Sequence, residues 1–187
     1  MGLGSGGYSR LGLQKLSRLG PTRSGASATL CALCGGQLDC GINLLDTAQV
    51  YGTEAIIGKA IRQTQRETIV LSTKGQIVGN GKFLTAQALQ QSIDRSLATL
   101  NTDYIDIFHL RGVKPKQYDY AFQELVPALL AASDAGKIRF LGITEGFSQD
   151  TNHKMLVRAV EDDCWDVVMV GFNLLNQSAR DRVFHTT

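Results

Sequence analysis

The 187-residue sequence predicts an α/β protein, a TIM-type (β/α)8 barrel incomplete at its C-terminus, as one domain over residues 1–187. Three observations carry that reading. Apolar runs begin near residues 42, 68, 104, 138 and 167 with helical patterns between them, the alternation that builds a parallel sheet. These five runs close on polar residues, Asp46, Lys74, His109, Thr144 and Asn173. A doubly wound sheet needs such ends only near its switch point, whereas all strands of a barrel point into one mouth. Finally, six strands can be counted where a barrel has eight and about 250 residues, so the last two βα units are expected to be lacking.

The elements follow in order. Gly2-Leu3-Gly4-Ser5-Gly6-Gly7 reads equally as a short first strand entering a ligand-hugging loop or as a flexible tail, since glycine lets backbone approach a bound group. Its Gly2, Gly4 and Gly7 match a dinucleotide-binding spacing, but loop rather than helix follows, and no acidic residue ends a second strand about 20 residues on. Residues 8–24 read as loop, and Ser27–Leu38 as a helix weakened by Gly35-Gly36. Ile42-Asn43-Leu44-Leu45 is a buried strand ending in Asp46. Thr53–Arg62 has Ile56, Ile57, Ala60 and Ile61 at helical spacing. Thr68–Lys74 is a strand and Gly75–Lys82 a loop. Thr85 caps a long helix with Ala86, Leu89, Ile93, Leu97 and Leu100 on one face. Tyr104–His109 is a strand. Tyr118–Ala135 is a helix closed by Gly136, and Pro127 forces a kink or a restart within it. Ile138–Thr144 is a strand, Asn152–Asp162 a helix, Val167–Asn173 a strand, and Ser178 caps a last helix.

Composition narrows the partners. The hydrophobic fraction of 43% suffices for a sizeable core, and the net charge of +2 is spread over scattered Lys and Arg. No nucleic-acid or membrane partner is expected from such a pattern. No apolar stretch reaches the roughly 18 residues of a membrane span, and MGLGSGGYSRLG lacks a signal-peptide layout, so a cytoplasmic protein is expected. Cys31, Cys34, Cys40 and Cys164 have no second pair and no suitably spaced His ligands. They read as small apolar residues, and no metal is expected.

The strand ends carry the chemistry. A tyrosine with its ordinary pKa of about 10 is a reluctant proton donor at neutral pH, and a nearby ammonium lowers that value. Lys74 is such an ammonium if it reaches Tyr51; Asp46 keeps it charged; His109 donates a hydrogen bond to a carbonyl oxygen. These groups supply the proton and the oxyanion stabilisation of a carbonyl reduction, and a cofactor must supply the hydride. Each residue alone also has a bland reading: Asp46 a turn cap, Tyr51 a packed aromatic, Lys74 a solvated strand end, His109 a core histidine. Together they are more telling, because period 2 sets Asp46 in phase with Ile42 and Leu44, Lys74 with Val70 and Ser72, and His109 with Ile105 and Ile107. A rival chemistry makes Lys74 a Schiff-base nucleophile with Asp46 and Tyr51 as proton shuttles.

GINLLDTAQVYG with Glu54 and Gly58, followed by LSTKG, DYIDIFHL and GKIRFLGIT in that order, resembles the aldo-keto reductases from about Gly2 to Arg180. The resemblance implies a (β/α)8 barrel, NADP(H) as cofactor and a small-molecule aldehyde or ketone as substrate. It makes Tyr51 the general acid, Lys74 the group that lowers its pKa, Asp46 the partner of Lys74, and His109 the residue that orients the carbonyl. Gly4, Ser5 and Gly6 fall on the segment that lies along the cofactor. Two places depart from the family. Thr144-Glu145 stands where Ser-Asn often grips the nicotinamide amide, and Met169 where Gln often contacts the cofactor; Asn173 lies later on that strand. A six-stranded piece also leaves two strand edges open, a route to self-association. The alternative function is a non-catalytic barrel subunit or interaction module, as among channel-associated members of the superfamily.

Overall fold

The computed structural model describes residues 2–4 and 42–184. Ser5, Gly6, the loop expected over 8–24, the helix expected over Ser27–Leu38 and three of the cysteines lie outside the described residues. Six parallel strands form a curled sheet, an incomplete (β/α)8 barrel: β1 (Gly2–Gly4), β2 (Leu44–Asp46), β3 (Val70–Gln76), β6 (Ile105–Val113), β7 (Ile138–Glu145) and β8 (Val167–Met169), side by side in that order. So Gly2–Gly4 is a strand and not a tail, with Gly4 level with Asp46. A small antiparallel hairpin, β4 (Val78–Gly79) and β5 (Lys82–Phe83), stands where sequence alone predicted loop. Asn80-Gly81, a favoured two-residue hairpin turn, was the available signal for it.

The helices run between strands. They are α1 (Glu54–Ala60), α2 (Ala86–Leu100), α3 (Tyr118–Tyr120), α4 (Val126–Asp134), α5 (Lys154–Glu161) and α6 (Ser178–Arg182). Thr85 caps α2 as expected, its hydroxyl accepting from the Ala88 amide at 3.2 Å. Leu89, Ile93 and Leu100 of α2 are buried with Leu71, Phe108, Leu110, Leu141 and Ile143 of the sheet. Between α3 and α4 the chain widens into a π-turn, Ala121–Leu125, before Pro127. Proline has no N–H for the preceding turn, and the restart there answers the choice that the sequence left open.

The opposite strand face carries the polar set. Register places Asp46 beside Ser72, and Lys74 beside His109, which in turn lies beside Gly142. Strands β3 and β6 run past their expected polar ends to Gln76 and Val113. Within β6 the register slips after Leu110, so that Arg111 and Gly112 together oppose Thr144. This is a bulge, with Gly112 at a φ of 62°. Strand β8 is shorter than expected and stops at Met169. Asn173 therefore lies off the strand, in an exposed turn where its Oδ1 accepts from the Leu175 and Asn176 amides, both at 2.9 Å. Ser178 is the first residue of α6 rather than its cap.

At the other end of the sheet Asp106 is buried. Its carboxylate accepts from the Leu71 amide at 2.9 Å, Arg66 at 2.6 Å and Arg139 at 3.1 Å. The two guanidiniums also sandwich the Tyr104 ring, each 3.9 Å from its centre. No helix among the described residues is long and apolar enough to cross a membrane.

Candidate active site

Lys74, buried on β3, has its ammonium fully engaged. Nζ lies 2.5 and 2.6 Å from the two Asp46 carboxylate oxygens and 2.8 Å from the Thr47 carbonyl oxygen. Ser72 adds a hydroxyl to the same carboxylate at 2.7 Å. Burial pushes the Lys74 pKa down, Asp46 opposes this, and Arg111 adds to the depression. Three acceptors for three N–H groups leave no free direction for attack on a carbonyl, which argues against the Schiff-base alternative.

Tyr51 reaches the site on a single 3₁₀ turn, Gln49–Tyr51, that follows β2. Gln49 moors the turn to α2, its Nε2 donating to the Ser92 carbonyl at 3.0 Å and the Ser96 hydroxyl at 2.9 Å. The Tyr51 ring has two cations beside it, Lys74 Nζ 5.7 Å and Arg111 Cζ 5.6 Å from its centre.

His109 lies on the same sheet face as Lys74, over a position that only glycine fits. A Cβ added at Gly142 would sit 2.2 Å from His109 Nδ1. That nitrogen is buried and has no hydrogen-bond partner. An orphaned N–H is rarer in folded proteins than an orphaned acceptor, so we assign the proton to Nε2. Burial, then the Lys74 charge, lowers the His109 pKa to about 4, with Asp46 opposing. The ring is therefore neutral at pH 7 and able to donate one hydrogen bond.

The sign of the pH effect follows. An unfolded histidine titrates near 6.5, so between pH 6.5 and 4 the unfolded chain binds more protons than the folded one. The contribution of neutral His109 is fully present above that window and is lost as pH falls through it. The loss approaches about 3 kcal/mol, at about 1.4 kcal/mol per pKa unit. Urea unfolding across this range should show a steeper loss for the wild-type chain than for His109→Gln; equal slopes would contradict the assignment.

A cleft of about 560 Å³ opens over this layer, with Tyr51, Lys74, Arg111, Thr144 and Gly171 on its walls. Tyr51 and Lys74 thus share the cleft wall, while Asp46 is bound to Lys74 and His109 is buried beside Lys74 without lining the cleft; the backbone of Gly4 is level with Asp46. Asn173 is away from the group. Thr144 and Glu145 border the cleft, but their side chains are committed elsewhere. The Thr144 hydroxyl accepts from the Gly112 amide at 2.8 Å. The Glu145 carboxylate meets His153 Nδ1 at 2.9 Å and accepts from the Gly171 amide at 2.7 Å. His153 Nε2 continues to the Ser178 hydroxyl at 2.8 Å. Sequence reasoning missed Gln49, Gly142 and His153. The only local signal was the glycine of FLGIT within an apolar strand, a small residue where close approach is needed.

A curled parallel sheet with an ionisable cluster on and just beyond β2 and on β3 and β6 defines an incomplete (β/α)8 barrel with that cluster towards the C-terminal ends of its strands. The Aldo/keto reductase family model matches residues 22–186, and the chain belongs to that family. It is 36% identical over 109 residues to L-galactose dehydrogenase of Arabidopsis thaliana, covering 56% of this chain and 34% of that protein. To 6-dehydroglucose reductase of Novosphingobium aromaticivorans it is 33% identical over 151 residues, covering 74% and 47%. An aldo/keto reductase from Klebsiella pneumoniae, solved with NADP and acetate, superposes with a TM-score of 0.67 at 27% identity, over 87% of this chain and 55% of that one. The chain therefore spans between about a third and a half of these two curated relatives.

Proposed function

We propose that this chain carries the carbonyl-reducing site of an NADP(H)-dependent aldo-keto reductase. The supporting observation is the joined set of Asp46, Lys74 and Tyr51 with neutral His109 in the same layer. His109 donates from Nε2 to the carbonyl oxygen and orients it. Tyr51 protonates that oxygen as the alcohol forms. Lys74 stabilises the phenolate left behind, and Asp46 keeps Lys74 charged in a buried site. The nicotinamide cofactor supplies the hydride to the carbonyl carbon. The cleft above Lys74 has room for a planar ring; Thr144 on its wall and Gly4, level with Asp46, are the described cofactor-contact candidates that this reading keeps.

A second reading has its own support. Thr144 and Glu145, at the positions where the resemblance expects the amide grip, are tied to Gly112, Gly171 and His153. That favours a non-catalytic barrel subunit. Titration of the folded 187-residue chain with NADPH and with NADH, followed by cofactor fluorescence, separates the two. Saturable binding with turnover of a simple aldehyde is expected. A folded chain that binds neither cofactor would overturn the enzyme reading for this chain and favour the subunit.

A further inference from the structure

We infer that Arg111 forms an anion subsite at the mouth, so that the preferred substrate is a carbonyl compound carrying a carboxylate or phosphate a few bonds from the reacting carbon. The inference rests on the reductase reading, and its test is arranged to fail separately.

Several observations converge on Arg111. It is half-buried in the cleft wall, two residues beyond His109 on the same strand. It makes no ion pair among the described residues. The carboxylates of the site and the cleft wall have other partners: Asp46 pairs with Lys74, and Glu145 with His153 and the Gly171 amide. A half-buried guanidinium without an acidic partner loses hydration and gains no counter-charge, a cost that a ligand anion would offset.

The backbone shows that the position is built. Arg111 lies in the β6 bulge, and bulges beside active sites re-aim side chains. Gly112 takes the positive φ of 62° that the bulge requires. Its amide, displaced from the regular ladder, is caught by the Thr144 hydroxyl at 2.8 Å. The result is a guanidinium 5.6 Å from the centre of the Tyr51 ring. Arg111 shares the cleft wall with Tyr51 and Lys74, so one small molecule in the cleft can meet both Tyr51 and Arg111. In the reductase reading Tyr51 meets the carbonyl, and Arg111 takes the anion with its planar fork of donors.

The test compares matched pairs. With NADPH, kcat/KM is measured for 4-oxobutanoate against pentanal, and for glyceraldehyde 3-phosphate against glyceraldehyde, in the wild-type chain, Arg111→Gln and Arg111→Lys. The wild-type chain should prefer at least one anionic member, and the pair that shows the preference identifies carboxylate or phosphate. Arg111→Gln should reduce that preference about tenfold or more, mainly through KM, with Arg111→Lys restoring part of it. Equal losses for anionic and neutral substrates, or a loss of NADPH affinity instead, would overturn the inference and place Arg111 with Tyr51 or with the cofactor. Calorimetric titration with succinate and with inorganic phosphate, with and without NADP, needs no turnover. Saturable binding weakened in Arg111→Gln supports the subsite even if no carbonyl is reduced. No binding of either anion by the folded wild-type chain, together with no preference in turnover, refutes it.

Discussion

Under the proposed function, Tyr51→Phe is expected to lower reduction of a carbonyl substrate by about three orders of magnitude in kcat, within the range of a positioned general acid. The substitution removes one oxygen and leaves the ring beside Lys74 and Arg111. The 3₁₀ turn is moored by Gln49 rather than by the phenol, so the loop keeps its place. Cofactor affinity therefore changes little while the proton donor is gone. Single-turnover kinetics with saturating NADPH read the chemical step apart from binding. Unchanged turnover would remove Tyr51 from the mechanism. Turnover lost together with cofactor binding would show a structural role instead.

The cluster was legible because each member sits on or just beyond a buried strand, where period 2 fixes the side that a residue faces. Asp46, Lys74 and His109 are each in phase with their strands, and the parallel register sets Lys74 level with His109 and Asp46 beside Ser72, one step back on the same face. Two further features depend on contacts distant in sequence. Val167 to Asn173 reads as an apolar run, so the strand was drawn to its end. In the fold the Gly171 amide donates to Glu145 instead of to a neighbouring strand, and the ladder stops at Met169. Glu145 stands where the resemblance expects the nicotinamide-amide grip, and its carboxylate is bound to His153 and the Gly171 amide. Its partner His153 is eight residues away across a loop, and no local pattern announces the pair. The β6 bulge was equally hidden, since LRGV holds a glycine but nothing says that Thr144 will catch its amide.

The two ends of the sheet divide the work, and Asp106 tests this division. Asp106→Ala should lower the unfolding free energy by about 3 kcal/mol, the scale of breaking a buried ion pair from one side. The Leu71 amide would lose its acceptor inside the core, Arg66 would be left partly buried without its counter-charge, and Arg139 would lose little because its side chain is half exposed. For a chain of this size that loss corresponds to a midpoint about 6 to 12 °C lower. Asp106 lies near the start of β6, three residues before His109, and its carboxylate reaches back to the start of β3, away from the cleft. Thermal unfolding should therefore move while NADPH affinity at 20 °C stays close to wild type. A parallel fall in both would mean that the buried charge cluster also holds the catalytic layer in place, through the strands β3 and β6 that the two regions share.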